Sequence, residues 1–210
     1  MLKIRDVLAL APVIPVLTVE KLEYAAPLAR ALYAGGLKVL EITLRTDVAL
    51  KVIEAMRVAV PDAIVGAGTL VQPEDFKRAA GVGAQFAVTP GLTPQLAEAA
   101  RTVTFPLLPG IVTPGEIIQA LHFGYDTLKF FPAQQAGGIP MLQAFAGPFA
   151  QVRFCPTGGI SRATAPAFLE LGNVLCVGGS WVAPNALVEK GDWAGIEALA
   201  QDAATLPCHS

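Results

Sequence analysis

The run "TLKFFPA", residues 127–133, sets Lys129 among apolar neighbours. An ammonium group is costly to bury unless it is paired or used. Apolar surroundings or a nearby cation favour the neutral amine, and a neutral amine adds to a carbonyl carbon to give an iminium. The competing reading is a buried ion pair between Lys129 and Glu41 with no chemistry attached.

Glu41 belongs to "VLEITLRT", residues 39–46. With a strand period of two, Glu41, Thr43 and Arg45 share one face and Leu40, Ile42 and Leu44 the other. Polar residues on an inward face need a partner or a task, and a structural Glu41–Arg45 pair is the plainer of the two. In "GAGT", residues 66–69, two glycines allow close approach of backbone or ligand, and Thr69 adds a hydroxyl. Two Gly-Gly turns follow later, in "PTGGIS" (156–161) and "VGGSW" (177–181), the second joined to Ser180. Backbone N–H groups in such turns bind phosphate well.

These residues need a scaffold that gathers them. Eight short runs rich in Val, Ile, Leu and Phe read as strands: 13–18, 38–44, 63–69, 85–90, 105–110, 127–132, 152–157 and 174–179. Between them lie amphipathic stretches with helix-start signals at Thr18, Thr46 or Asp47, Gln72, Thr93, Thr113 and Ser161. Gly35, Gly81, Gly124 and Gly172 stand where helix ends want a residue free to take positive φ. Apolar strands alternating with crossover helices imply a parallel sheet covered on both faces. The expected fold is α/β, a (β/α)8 TIM barrel, with residues 1–210 as a single compact domain. An open doubly wound sheet is the competitor, disfavoured because no G-x-G-x-x-G turn follows the first strand. In a barrel the strand ends named above all meet at one mouth.

Composition narrows the partners. A net charge of −2 with scattered Lys and Arg argues against nucleic acid. The apolar stretch near the start is short and broken by Pro12 and Pro15, which argues against a membrane span. Charged residues make up 15% of the chain, against about 25% in ordinary soluble domains, which points to surface buried by oligomerisation. Cys155, Cys176 and Cys208 cannot all pair and lack zinc-site spacing, which fits a reduced, cytoplasmic chain. With His122 and His209 as the two histidines, neither a histidine-held metal nor another cofactor is expected. His122 reads as a surface or cap residue, and Tyr24, Tyr33, Trp181 and Trp193 as core or interface aromatics.

An amine nucleophile, a carboxylate, a guanidinium and a phosphate cradle at one mouth suit a phosphorylated keto acid, activated as an iminium. The motifs "VLEITLRT", "GAGT", "TPGLT", "LLPGI", "KFFPA", "VRFCPTGGIS" and "VGGSW" resemble those of the class I 2-keto-3-deoxy-6-phosphogluconate (KDPG) aldolases, also active on 4-hydroxy-2-oxoglutarate (KHG). The resemblance implies a homotrimeric barrel of the Entner–Doudoroff pathway. It makes Lys129 the Schiff-base lysine and Glu41 the acid/base, acting through water. It assigns Arg45 and Thr69 to the pyruvate carboxylate, Pro90 and Phe131 to the surroundings of the iminium, and Gly158, Gly159, Gly179 and Ser180 to the phosphate, with Thr157 also substrate-binding. Gln134 departs from the glutamate common after "KFFPA". The alternatives are the galactonate-series aldolase, a phosphosugar isomerase or epimerase barrel that would not need Lys129, and a non-catalytic phosphosugar binder.

Overall fold

The computed structural model describes residues 2–207; Cys208 and His209 lie outside the described residues. A short helix α1 (Ile4–Leu8) precedes β1 (Val13–Leu17). Units of strand and helix then follow: α2 (Ala25–Ala34), β2 (Val39–Thr43), α3 (Ala49–Ala59), β3 (Ile64–Gly68) and α4 (Pro73–Gly81). Next come β4 (Ala87–Val88), α5 (Pro94–Ala100), β5 (Leu107–Leu108), β6 (Gly110–Ile111) and α6 (Pro114–His122). The last part holds β7 (Thr127–Phe130), α7 (Gly138–Ala146), β8 (Arg153–Pro156), α8 (Ala165–Leu169), β9 (Val177–Gly179), α9 (Asn185–Lys190) and α10 (Trp193–Ala204).

All strand pairs are parallel. Six strands form a sheet in the order β5-β4-β3-β2-β1-β9, and three form a second in the order β6-β7-β8. The expected fifth strand is two pieces, β5 and β6, with Pro109 between them. Proline cannot donate to a ladder, yet its carbonyl still accepts from Lys129 N at 2.8 Å. Parallel bridges also join Phe154 to Val174 and Thr157 to Gly178. This is an α/β fold of parallel strands joined by helices.

Alternation along the strands separates two apolar clusters. Leu40 and Ile42 of β2 and Leu128 and Phe130 of β7 enter the large cluster shared with the helices. Val39, Ile14, Phe86, Val88, Leu108 and Cys155, from five different strand runs, meet in a smaller one with Val7 and Leu8 of α1. Burying a side chain of this size stabilises the fold by about 1.5–3 kcal/mol. Glu41 follows Val39 by two residues, so it faces the same way, toward the C-terminal end of the strand.

Helix starts follow the sequence at three places. Gln72 and Thr113 each form a capping box, and Thr93 accepts from Leu96 N. Elsewhere they shift. A 3-10 turn at Leu22–Tyr24 precedes α2, so Thr18 caps nothing; α3 starts after Val48 and α8 after Thr164. Of the four glycines expected at positive φ, Gly124 has it, at 90°; at the ends of α2 and α4 it falls on Gly36 and Gly83 rather than Gly35 and Gly81, and Gly172 does not adopt it. Gly35 is required for a different reason: a Cβ there would lie 2.4 Å from that of Ala200 on α10. His122 ends α6 and is exposed, and Tyr24 packs on Trp193 with ring centroids 6.2 Å apart.

Candidate active site

Lys129 Nζ lies 3.2 Å from Glu41 Oε1, across 88 residues of chain. Their side chains are 7% and 4% exposed. The lysine points inward because Leu128 and Phe130 on either side point into the helix-facing core. Its ammonium stands 5.3 Å from the centroid of the Phe131 ring, a cation–π contact that screens it further from water. Glu41 therefore partners Lys129, not Arg45. Strand β2 ends at Thr43, and Arg45 sits in the following turn with its side chain exposed.

The "GAGT" glycines supply room. A Cβ on Gly66 would lie 2.4 Å from the Phe86 ring, and one on Gly68 would lie 2.2 Å from Glu41 Oε1. The next residue, Thr69, has φ of 62°, a conformation that β-branched residues avoid. The backbone of Pro90 lies against Gly110, the strand neighbour of the lysine. Gly110 pairs with Lys129, and a Cβ on Gly110 would lie 2.3 Å from the Pro90 carbonyl.

Beside the pair opens a cavity of about 210 Å³, lined by Arg45, Phe131, Thr157, Gly158, Gly159, Gly179 and Ser180, all of them expected at the site. Gly158 and Gly159 take φ of 104° and 75°. Gly178 and Gly179 serve instead for close approach, since a Cβ would meet Thr157 Oγ1 at 2.2 Å and the Trp181 ring at 1.9 Å. Glu41, Lys129, Thr69 and Pro90 do not line this cavity; Phe131 joins the two parts, facing the ammonium and forming cavity wall. Gln134 is exposed, donates its N–H to the Gly158 carbonyl at 3.1 Å and packs against Gly159, so it buttresses the glycine turn.

Val16, Thr18, Ile160 and Gly178 also line the cavity and were not among the expected site residues. A signal existed for two of them: counting by two from Ile14 puts Val16 and Thr18 on the inner face. Among the described residues no three His, Cys, Asp or Glu side chains gather as a metal site, and no helix is long and apolar enough to cross a membrane.

A buried amine within proton-transfer distance of a carboxylate, next to a polar cavity with a guanidinium at its wall, is equipped for iminium chemistry on a carbonyl acid. Residues 4–199 match the family of KDPG and KHG aldolases. The chain belongs to that family. The KHG/KDPG aldolase of Escherichia coli (strain K12) is 51% identical to this aldolase over 198 residues, 94% of this chain and 93% of that protein. A solved KDPG aldolase from Legionella pneumophila, with pyruvate captured at low pH as a covalent carbinolamine intermediate, superposes with a TM-score of 0.94 at 46% identity, covering 96% of this chain and 98% of that one. The Zymomonas mobilis ZM4 enzyme with 3-phosphoglycerate gives 0.93 at 47% identity, covering 98% of this chain and 96% of that one.

Proposed function

We propose that this aldolase cleaves KDPG to pyruvate and glyceraldehyde 3-phosphate, and KHG to pyruvate and glyoxylate, through a Schiff base on Lys129. The buried 3.2 Å contact between Lys129 Nζ and Glu41 Oε1 carries the reading. A charge pair that serves stability alone gains little over apolar packing once both ions are desolvated.

Transfer of the ammonium proton to Glu41 frees the amine, which adds to C2 of the keto acid. Glu41 returns the proton to the carbinolamine oxygen, which leaves as water and gives the iminium. As the C3–C4 bond breaks, its electron pair flows to the iminium nitrogen, and the C4 hydroxyl proton passes through a water to Glu41. Protonation of the enamine at C3 and hydrolysis of the iminium release pyruvate and restore Lys129. Arg45, with Thr69, holds the C1 carboxylate, and Pro90 and Phe131 pack about the iminium. Thr157, Gly158, Gly159, Gly179 and Ser180 hold the phosphate. Anchoring both ends aligns the scissile bond.

The same reading takes the two sheets as one closed eight-stranded barrel in a single domain. It is supported by the Thr157–Gly178 bridge, by the single proline between β5 and β6, and by the inner cluster drawn from strands of both sheets. A homotrimer is supported by the low charge content and by Leu22 and Val58, exposed together along one shallow groove. A cytoplasmic setting accords with a phosphorylated substrate, which membranes retain.

Borohydride reduction in the presence of pyruvate tests the chemistry. A pyruvyl adduct, located by peptide mapping on Lys129, is the expected result. Folded protein that gains no adduct in excess pyruvate would overturn the Schiff-base step.

A further inference from the structure

We propose that Thr18 accepts a hydrogen bond from the C5 hydroxyl of KDPG and so favours this substrate over KHG, an inference that rests on the aldolase reading above. Thr43 Oγ1 donates to the Leu17 carbonyl at 3.0 Å. A hydroxyl has one hydrogen, so in the 2.9 Å contact between the Thr18 and Thr43 hydroxyls the donor is Thr18. With that hydrogen committed, Thr18 Oγ1 offers other groups only its lone pairs.

The location suits a ligand. Thr43 is 2% exposed and shares its strand face with Glu41, so the hydroxyl chain stands beside the acid/base. Thr18 lines the same cavity as Arg45 and the two glycine turns. The other polar groups there differ in kind. Arg45 can only donate, Ser180 is exposed and free to turn, and Thr157 Oγ1 lies 3.4 Å from the Cys155 carbonyl, at the edge of hydrogen-bonding range.

A fixed acceptor matches a ligand hydroxyl. In KDPG the carboxylate goes to Arg45, the ketone to Lys129, the C4 proton to Glu41 and the phosphate to the glycine turns; the C5 hydroxyl is the group left over. KHG carries a carboxylate at C5, which has no hydrogen to donate and meets the lone pairs of Thr18 unfavourably. One group thus attracts the first substrate and repels the second.

The test compares kcat/KM for the two keto acids, with exchange of pyruvate methyl hydrogens into D2O as a measure of Lys129 chemistry that needs no C5 group. In Thr18→Val the KDPG-to-KHG ratio, and the ratio of KDPG cleavage to exchange, should fall about tenfold. Thr18→Ser, which keeps the hydroxyl, should stay within about threefold of the wild type. Thr43→Val frees the Thr18 hydrogen to meet a carboxylate and should lower the KDPG-to-KHG ratio about threefold, an independent check if Thr18→Val is unstable. Unchanged ratios in both valine variants, or a serine variant as impaired as the valine one, would overturn the assignment. Wild-type protein with neither exchange nor cleavage would overturn the aldolase reading instead.

Discussion

The carboxylate of Glu41 occupies the space that Gly68 leaves open: a Cβ on that glycine would stand 2.2 Å from Oε1 and 2.8 Å from the carboxyl carbon. The glycine therefore sets where the acid/base sits relative to Lys129. Gly68→Ala should leave a folded protein, because a side-chain end can swing aside, but with Glu41 displaced from the amine. A misplacement near 1 Å costs about 100-fold in rate, so kcat for KDPG should drop about 10- to 100-fold with a smaller change in KM. Steady-state kinetics check this, and a kcat within about twofold of wild type would refute it.

Lys129→Met should abolish both borohydride trapping and cleavage. It also leaves a desolvated carboxylate without its partner, which costs about 3–5 kcal/mol at neutral pH. Lys129→Met combined with Glu41→Gln should recover most of that loss while remaining inactive. Urea unfolding of the two variants distinguishes this from a simple packing defect, which would give both the same stability.

Thr69 holds φ of 62°, where a β-branched residue is strained by about 1–2 kcal/mol. Thr69→Asn, which tolerates the left-handed region, should be about 1 kcal/mol more stable and less active. Denaturant midpoints and kcat/KM measured on the same preparation test the trade. A variant less stable than wild type would remove the strain argument.

Glu116 closes the capping box of α6. Partial burial pushes its carboxyl pKa up, but hydrogen bonds from the Thr113 and Val112 backbone N–H groups, helped by the Thr113 hydroxyl, outweigh that and hold it below the ordinary value. A depressed carboxyl stabilises the fold above the unfolded-state pKa and loses that contribution as pH falls through the folded-state value. Glu116→Gln should therefore be less stable than wild type near neutral pH, by about 0.5–1 kcal/mol, and the gap should close at an acid pH below the folded-state value. Unfolding free energies at the two pH values measure it; a constant gap would exclude the titration.

Much of the architecture was legible because strand and helix periods are local properties of the chain. Each of the eight apolar runs contains strand, though only Ala87–Val88 of the fourth and Val177–Gly179 of the eighth, and the Gln72, Thr93 and Thr113 caps formed because a side chain three residues from an unpaired N–H needs nothing distant. Thr18 and Ser161 look like the same signal, yet the chain leaves Thr18 on the inner face and adds a turn before α8, choices made by packing against neighbours. Counting in twos puts Arg45 on the Glu41 face of β2, but the count stops applying where the strand ends at Thr43.

From its sequence alone the chain determines an alternating α/β plan, an inward Lys129, an inward Glu41 and two Gly-Gly turns, since residue type and period suffice for each. The tertiary structure decided that Lys129 pairs with Glu41, that Gly68 makes room for the carboxylate, that Gly36 and Gly83 take the left-handed turns, and that Thr18 gives its hydrogen to Thr43. Each of these depends on register between strands or on which surface presses against which. A one-dimensional pattern carries no record of either, because the same period is compatible with many registers and only packing selects among them.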